Sequence, residues 1–347
     1  MTYTTMPFVR DEIKDIRYET TYTISAENQD IIHLDKNENP FDEVFTYNRF
    51  PEKFQQKFRS TFCTYYNVLP HQMVVNRSVS EHLLRIFLMT CQSGIDSIAF
   101  AGTMPQEYVS IAKLANISYT LDLRLDLISS SNTFNDSKVI VISSPNHFTG
   151  QTLRTDEILA ICKNNENSWI VVDESLFEYT DAISAISLLD EVNNLIVLRS
   201  FSHFWGMAGV GISIAIAKEE FATLLQNVTP TYVVDTQSLS YIQHIAETFR
   251  KSRTVFHTKT AVITERERLE TFFQSSPIVK KVFPSQANFL LVSFRKNSSE
   301  IYEVLLEKNI LVHYCHEPEF VKENCLRISV GTPVDNTVLI DVLQSLT

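Results

Sequence analysis

The chain has 347 residues, 44% of them hydrophobic and 20% charged, which is typical of a folded globular protein long enough for two domains. Its formal net charge of −11 and pI of about 5.3 argue against nonspecific binding to nucleic acid or to an anionic membrane. No apolar run reaches the roughly 18 residues of a membrane span, and residues 1–19 are too polar for a signal peptide.

Cysteine and glycine usage narrows the chemistry further. The 5 cysteines are odd in number and lack metal-ligand spacing, so we expect free thiols in a reducing cytoplasm and no metal site. The chain has only 7 glycines, where average usage would give roughly 24. The chain therefore has few places where the backbone can approach a ligand closely.

Residues 1–30 are mixed and polar, and we read them as an N-terminal arm. Helical spacing over 52–66 precedes a short strand at 73–75 and an apolar helix at 82–89. From residue 95 onward, short apolar runs alternate with helical segments. This alternation predicts βαβ units and a mainly parallel sheet with helices on both faces.

The C-terminal part has a different pattern. It consists of a helix at 261–272, a strand at 287–294, a helix at 300–308, a strand at 326–330 and a final helix at 334–346. This order predicts a smaller α+β domain. We therefore divide the chain into the arm, a large α/β domain at 31–245 and a small domain at 246–347.

The most informative stretch is Leu195–Ile214, in which an apolar strand ends in a polar turn with Ser200 and Ser202, followed by a glycine-containing segment and a returning strand at 210–217. It resembles the cofactor-lysine segment of class I/II aminotransferases, most closely that of histidinol-phosphate aminotransferases. In that family a lysine after the second serine holds pyridoxal phosphate (PLP). Here that position is His203. The resemblance implies the PLP-dependent transferase fold type I, with the two serines facing the phosphate.

Two further motifs carry the resemblance. The Ser-Pro-Asn-His-Phe-Thr-Gly run at 144–150 is similar to the family's Ser-Pro-Asn-Asn-Pro-Thr-Gly, and His147 replaces the asparagine that donates to the cofactor's phenolic oxygen. Trp169–Glu178 is similar to a Val-Val-Asp-Glu-Ala-Tyr segment. Asp173 stands where the family's aspartate pairs with the pyridine nitrogen, and Leu176 replaces a tyrosine.

Several family groups that contact the cofactor are missing. A Gly-Ala-Asp turn that cradles the phosphate at a helix start corresponds to Ser78–Ser80, where we expect helix capping and where Ser80 remains a candidate donor. The clamping arginine corresponds to Gly211 and a tyrosine to Phe50. No aromatic stands at the matching place in Gly102–Pro105.

The substrate side is better preserved. The resemblance assigns substrate binding to Asn37, Asn288 and Arg327, and it aligns His313 with a second, phosphate-binding arginine. If the family geometry holds, His147, His203, His313, Asp173 and Arg327 converge on one cleft.

The replacement of lysine changes the chemistry. A lysine amine forms the covalent imine and also moves a proton. Imidazole cannot do the first but can do the second. We therefore expect PLP or pyridoxamine phosphate (PMP) to bind weakly or not at all, and ordinary transamination not to occur.

Three functions stay open. The first is a ligand-binding pseudoenzyme or PLP-independent enzyme of amino-acid or small-molecule metabolism, with a small anionic or amino-acid-like ligand. The second is a PLP- or PMP-dependent biosynthetic enzyme with His203 as general base. The third is a regulatory or structural partner of an active aminotransferase. We expect a cytoplasmic homodimer, because the family builds its sites across that interface.

Overall fold

The computed structural model describes residues 6–16, 39, 50–122, 134, 136–252, 254–316 and 323–346. The helices in these ranges are α1 Asp11–Lys14, α2 Glu52–Tyr66, α3 Val79–Thr90, α4 Gln106–Leu114, α5 Thr155–Asn164, α6 Glu219–Asn227, α7 Thr236–Ser252, α8 Thr254–Ser275, α9 Ser298–Glu307 and α10 Pro333–Gln344. The strands are β1 Met73–Asn76, β2 Ser97–Ala101, β3 Ser118–Asp122, β4 Ser137–Ser143, β5 Trp169–Asp173, β6 Leu195–Ser200, β7 Ser213–Ala217, β8 Val279–Val282, β9 Phe289–Phe294, β10 His313–Tyr314 and β11 Cys325–Ser329.

The larger sheet has seven strands in the order β1-β7-β6-β5-β4-β2-β3. Neighbours from β6 to β3 are parallel, whereas β7 is antiparallel to both β6 and β1. The predicted returning strand is confirmed, although it begins at Ser213 rather than Val210. Because β4, β5 and β6 run in the same direction, the loops that follow them meet at one edge of the sheet.

Helices cover both faces of this sheet. In β4, Val139 and Val141 pack in the core with α3, α4 and α6, whereas Ile140 and Ile142 pack with α2, α5 and α7. Successive strand residues point to opposite faces, so a strand that is apolar throughout requires a helical layer on each side. The expected α/β architecture is confirmed.

The C-terminal residues form a second, four-stranded sheet in the order β10-β11-β9-β8. All of its strand pairs are antiparallel. Helices α8, α9 and α10 cover one face through a core that includes Phe273, Leu305 and Leu343. A separate apolar cluster joins Leu291 of β9 to Phe148, which belongs to the loop after β4. This contact places the smaller sheet beside the edge of the larger one.

Two predicted boundaries can be compared with the structure. Helix α3 begins at Val79, earlier than predicted, because Ser78 caps it and its Oγ accepts a hydrogen bond from the Glu81 N–H at 3.1 Å. The capping role expected for this serine is confirmed. The proposed domain division after residue 245 falls inside α7 and stays a prediction.

The cysteines and the possible metal ligands form no cluster in the described residues. All five cysteines are buried and free. Within the described ranges, no group of three or more His, Cys, Asp or Glu side chains is arranged to hold a metal ion. In the same part of the chain, no helix has both the length and the apolar character that crossing a bilayer requires. Buried polar side chains instead concentrate where β4, β5 and β6 end.

Candidate active site

Three loops meet at the carboxyl edge of the larger sheet. Strands β4 and β5 end side by side at the paired residues Ser143 and Asp173, and β6 ends at Ser200. Open α/β sheets bind ligands at this edge, because the strands give way to loops there. The centre of the candidate site is Asp173, whose side chain is fully buried.

Four hydrogen bonds converge on the Asp173 carboxylate. Oδ1 accepts from the backbone N–H of Ser175 at 2.9 Å and from its hydroxyl at 2.5 Å. Oδ2 accepts from the Tyr108 hydroxyl at 2.6 Å and lies 2.7 Å from Nε2 of His147. A carboxylate offers about four acceptor positions, so these contacts fill it.

The protonation state of this group follows from its surroundings. Burial raises the pKa of Asp173, but the His147 ring and the two hydroxyl donors outweigh burial and lower the pKa to about 2. The group is therefore an ionised carboxylate at neutral pH and can only accept hydrogen bonds. It follows that Nε2 of His147 carries a proton and donates it. The pKa of Tyr108 is raised above its ordinary value, first by burial and then by Asp173, so the phenol keeps its proton.

The turn at 144–150 directs His147 towards the carboxylate. Asn146 holds this turn through its Oδ1, which accepts from the backbone N–H groups of Phe148 and Thr149 at 3.0 Å each. Its Nδ2 donates at 3.1 Å to a carbonyl in the loop after β2. The backbone on either side of the imidazole is thus fixed by a buried amide.

Strand β11 brings Arg327 to the same turn. Its Nη1 donates to the carbonyl oxygen of His147 at 2.6 Å. Its guanidinium lies 5.2 Å from the ring centroid of Phe148 and 5.3 Å from that of Phe289, within the range of cation–π attraction. His313 is the cross-strand partner of Arg327. The pKa of His313 is lowered to about 4, by burial first and then by Arg327, so this imidazole is neutral at pH 7.

His203 lies in the loop between β6 and β7 with a solvent-accessible side chain. Its carbonyl oxygen accepts from the Gly206 N–H at 3.2 Å, which closes a turn. The pKa of His203 is lowered below its ordinary value by loss of hydration and then by His147; the Asp173 carboxylate raises it, and Arg327 lowers it further. This imidazole is therefore within electrostatic reach of the other three groups.

The structure thus brings together four of the five side chains that the sequence predicted to converge. Hydrogen bonds join His147 to Asp173 and to Arg327, and strand pairing places His313 beside Arg327. The fifth residue, His203, lies in the loop that follows β6. Their roles in binding or catalysis stay predictions.

The candidate hydrogen-bond donors to a phosphate lie at the end of β6, in the loop after it and in the first turn of α3. Ser200 is buried, and its Oγ accepts from the Ser202 N–H at 3.2 Å, so this hydroxyl already serves the loop. Ser202 is half-buried, and Ser80 is buried in the first turn of α3. Phosphate contact by any of the three stays a prediction.

A cavity of about 1110 Å³ lies beside Gly211, with Arg77, Asp235 and His244 among its lining residues. Gly211 has a φ of 67°, and a Cβ built there would lie 3.5 Å from the Arg77 carbonyl oxygen. Arg77 Nη2 is 3.6 Å from Asp235 Oδ2. An arginine from the loop before α3 therefore faces the region where the resemblance places the missing phosphate clamp.

The remaining predicted residues are less informative. Asn288 is half-buried, and its carbonyl accepts from the Val330 N–H at 2.8 Å. Phe50 stacks on Tyr232 with ring centroids 4.3 Å apart. Asn37 lies outside the described residues. Ligand binding by Asn288 and Asn37 therefore stays a prediction.

Tyr108 is the site residue that sequence reasoning missed. The resemblance places an aromatic side chain within Gly102–Pro105, whereas Tyr108 lies in the first turn of α4. Its ring packs edge-on against His147, with centroids 6.1 Å apart. A tyrosine near the start of a helix that follows a central parallel strand was the available indication, because such helix starts face the carboxyl edge.

Comparison with known proteins agrees with this architecture. The family model described as aminotransferase class I and II matches residues 93–343. The histidinol-phosphate aminotransferase of Flavobacterium psychrophilum is 28% identical over 348 aligned residues, which cover 97% of this chain and 93% of that protein. The crystal structure of the histidinol-phosphate aminotransferase from Clostridium acetobutylicum aligns with a TM-score of 0.78 at 17% identity, over 86% of this chain and 91% of that one.

A second solved structure carries a cofactor. The histidinol-phosphate aminotransferase from Sinorhizobium meliloti, in complex with pyridoxal-5'-phosphate, aligns with a TM-score of 0.72 at 16% identity, over 87% of this chain and 84% of that one. The fold is therefore that of PLP-dependent transferases of fold type I. The chain belongs to the class I and II aminotransferase family, whose cofactor is PLP.

The residues at the strand ends do not fit the cofactor ring in the way the resemblance implies. A ring nitrogen would need an acceptor position on Asp173, and all of these positions are filled by Tyr108, His147 and Ser175. The Asp173 side chain also has no solvent-accessible surface. The acceptor positions of Asp173 are therefore occupied by groups of the protein itself.

Proposed function

We propose that this chain is a relative of histidinol-phosphate aminotransferases that lacks the Schiff-base lysine, binds PLP or PMP weakly or not at all, and does not carry out ordinary transamination. The observation that carries the proposal is the filled, fully buried carboxylate of Asp173. The position of His203 adds to it, because an imidazole has no primary amine with which to form a covalent imine.

The part of the site that contains Arg327, His203 and His313 suits a small anionic or amino-acid-like ligand. Arg327 is half-buried, and a guanidinium pairs with a carboxylate through two parallel hydrogen bonds. The lowered pKa values of His203 and His313 leave two neutral imidazoles nearby, which can accept a proton or a hydrogen bond. We therefore propose a ligand-binding pseudoenzyme or a PLP-independent enzyme of amino-acid or small-molecule metabolism.

A PLP- or PMP-dependent biosynthetic enzyme is the second candidate. It is favoured by the lowered pKa of His203, which keeps the imidazole available as a general base near neutral pH. It is also favoured by Arg77, a cation that faces the cavity beside Gly211. In this function the cofactor ring must displace His147 to reach Asp173.

We also propose that the chain forms a homodimer in the cytoplasm. Support comes from the family resemblance and from the stacked pair of Phe50, which is 42% exposed, and the half-buried Tyr232. Light scattering on the purified protein measures the dimer directly. Co-purification of an active aminotransferase would instead favour the third function, a mixed assembly.

The functional proposal is tested by imine trapping combined with a ligand screen. Protein incubated with PLP and reduced with borohydride should show no added cofactor in its intact mass. Among amino acids and dicarboxylates, at least one should raise the melting temperature of the wild type but not of Arg327→Met, since a ligand that binds only the folded state stabilises it. A reduced adduct on one lysine, or keto-acid formation from an amino donor, would contradict the proposal.

A further inference from the structure

The acceptor capacity of Asp173 is exhausted within the protein. Each carboxylate oxygen holds two donors, at 2.5 and 2.9 Å on Oδ1 and at 2.6 and 2.7 Å on Oδ2. A protonated ring nitrogen that paired with this carboxylate would need one of these positions. Entry of such a ring therefore requires that one donor leave.

The three donors differ in how they are placed relative to solvent. Ser175 is 3% exposed and Tyr108 is 4% exposed, so both are enclosed by the core. The His147 side chain keeps 12% of its surface accessible. The approach to Asp173 from solvent therefore passes through the position of the His147 imidazole.

The His147 imidazole is held in this position from several sides. Arg327 donates to the main-chain carbonyl oxygen of His147 at 2.6 Å, and Asn146 fixes the backbone immediately after His147. The Tyr108 ring packs against the imidazole edge to face. The side chain is pre-organised, so its hydrogen bond to Asp173 forms with little further loss of conformational freedom.

The donor that His147 presents is of the same kind as a pyridinium N–H. Both are ring N–H groups that pair with an ionised carboxylate, and the contact distance of 2.7 Å is that of a charge-assisted hydrogen bond. An imidazole attached to the chain has no translational entropy to lose, whereas a free cofactor does. The internal donor is therefore favoured.

From these observations we infer that His147 acts as a built-in substitute for the cofactor ring: it covers Asp173, completes the buried carboxylate and excludes pyridine-type cofactors from this half of the site. The inference deepens the proposed function, because it gives a physical reason for weak cofactor binding that does not depend on the identity of residue 203.

Four proteins test this inference: the wild type, His147→Asn, His147→Asn/Asp173→Asn and Tyr108→Phe. Isothermal titration with PLP and with PMP gives the affinities, and inorganic phosphate serves as the anion-only probe. His147→Asn removes the covering ring but retains a small amide. Tyr108→Phe removes a donor to the same oxygen while leaving His147 in place. Thermal unfolding of each variant without ligand checks that it folds.

We expect His147→Asn to bind PLP and PMP between about 10-fold and 100-fold more tightly than the wild type, which is the worth of one charge-assisted hydrogen bond. The double variant should lose this gain, Tyr108→Phe should resemble the wild type, and phosphate affinity should be the same in all four. Equal PLP affinity in the wild type and His147→Asn would overturn the inference, as would a gain that survives Asp173→Asn.

The wild type alone also decides the inference if His147→Asn does not fold. Its affinity for PLP should not exceed its affinity for inorganic phosphate by more than about tenfold, and a larger excess would overturn the inference. Borohydride trapping separates this result from the proposed function. A trapped adduct in the wild type reveals an imine-forming lysine and contradicts the proposed function as a whole. Tight PLP binding without an adduct contradicts the covering role of His147 and the weak cofactor binding that depends on it, but leaves the absence of a Schiff-base lysine intact.

Discussion

The guanidinium of Arg327 and the main-chain carbonyl oxygen of His147 are joined by a hydrogen bond of 2.6 Å. This bond ties β11 of the smaller sheet to the turn whose imidazole covers Asp173. The donor is a charged group, and a hydrogen bond of this kind is stronger than one between neutral groups. Arg327 therefore supports the turn from the smaller sheet.

Replacement of Arg327 should weaken both the fold and ligand binding. We expect Arg327→Met to lower the free energy of unfolding by about 1.5–3 kcal/mol, because a hydrogen bond from a charged group is lost. Arg327→Lys should recover part of this stability but not ligand affinity, because a lysine lacks the planar fork. Urea unfolding and ligand titration measure the two effects. Wild-type stability in Arg327→Met would contradict the structural role.

Introduction of a lysine at position 203 should not create a transaminase. His203→Lys supplies a primary amine, but Asp173 remains covered and Gly211 supplies no side chain for the phosphate. A coupled assay for keto-acid formation from amino donors should therefore show no activity. The His203→Lys/His147→Asn variant is the comparison, since it also opens the carboxylate. Clear activity in the single variant would show that the covered carboxylate is not an obstacle.

The buried cluster of Arg199 with two glutamates, next to the site, should contribute strongly to the free energy of unfolding. Arg199 is 3% exposed, and its guanidinium lies 2.7 Å from Glu174 and 3.0 Å from Glu178. Burial lowers the pKa of Arg199, but the two carboxylates outweigh burial and raise it. Arg199→Met leaves both carboxylates buried without their cation, and we expect a loss of about 3–5 kcal/mol in urea unfolding.

Arg154 supplies the matched control for this experiment. It also contacts a carboxylate, with Nε 2.9 Å from Asp156, but the side chains of the pair are 70% and 67% exposed. Exposed ion pairs contribute little to stability, so Arg154→Met should leave the urea midpoint unchanged. Equal losses in the two variants would mean that burial does not decide the cost.

His82 should make the fold sensitive to acid. It is fully buried. Burial lowers its pKa from 6.5 to about 3; the adjacent Ser213 backbone raises it and Arg85 lowers it. Between pH 6.5 and about pH 3, the His82 imidazole is therefore protonated in the unfolded state but not in the folded state. The stability that neutral His82 permits is present above pH 6.5 and is lost as the pH falls towards 3.

His82→Leu tests this pH dependence. As the pH falls from 6 to 4, the variant's free energy of unfolding should rise relative to that of the wild type by about 1.4 kcal/mol for each pH unit. His71→Leu is the control for the removal of an imidazole from an exposed position, since that side chain is 45% exposed. Parallel stability curves for the wild type and His82→Leu would show that His82 is not the acid-sensitive group.

The order of strands and helices could be predicted because it depends on local patterns. A continuous apolar strand such as Trp169–Asp173 requires cover on both faces, and helical spacing marks the covering layers. The family resemblance located Asp173 at a strand end and His203 in the loop after β6. These features depend on residues that are near in sequence or on a motif of several residues.

The donor set around Asp173 could not be predicted in the same way. Its members come from two loops and from the first turn of α4, and their separations from Asp173 in sequence, 65 residues for Tyr108 and 26 for His147, carry no periodic pattern. His147 could be recognised as a replacement for asparagine, but the replacement alone does not indicate that the longer ring reaches the carboxylate. The position of Arg77 beside Gly211 likewise depends on how α3 and β7 pack.

The most direct test of the account is the nuclear magnetic resonance spectrum of the wild type labelled with ¹⁵N-histidine. The bond between His147 and Asp173 predicts one imidazole N–H resonance that is shifted far downfield, exchanges slowly and disappears in His147→Asn. It should persist unchanged in millimolar PLP. If no such resonance exists, or if PLP removes it saturably, the carboxylate is open to the cofactor and the account is wrong.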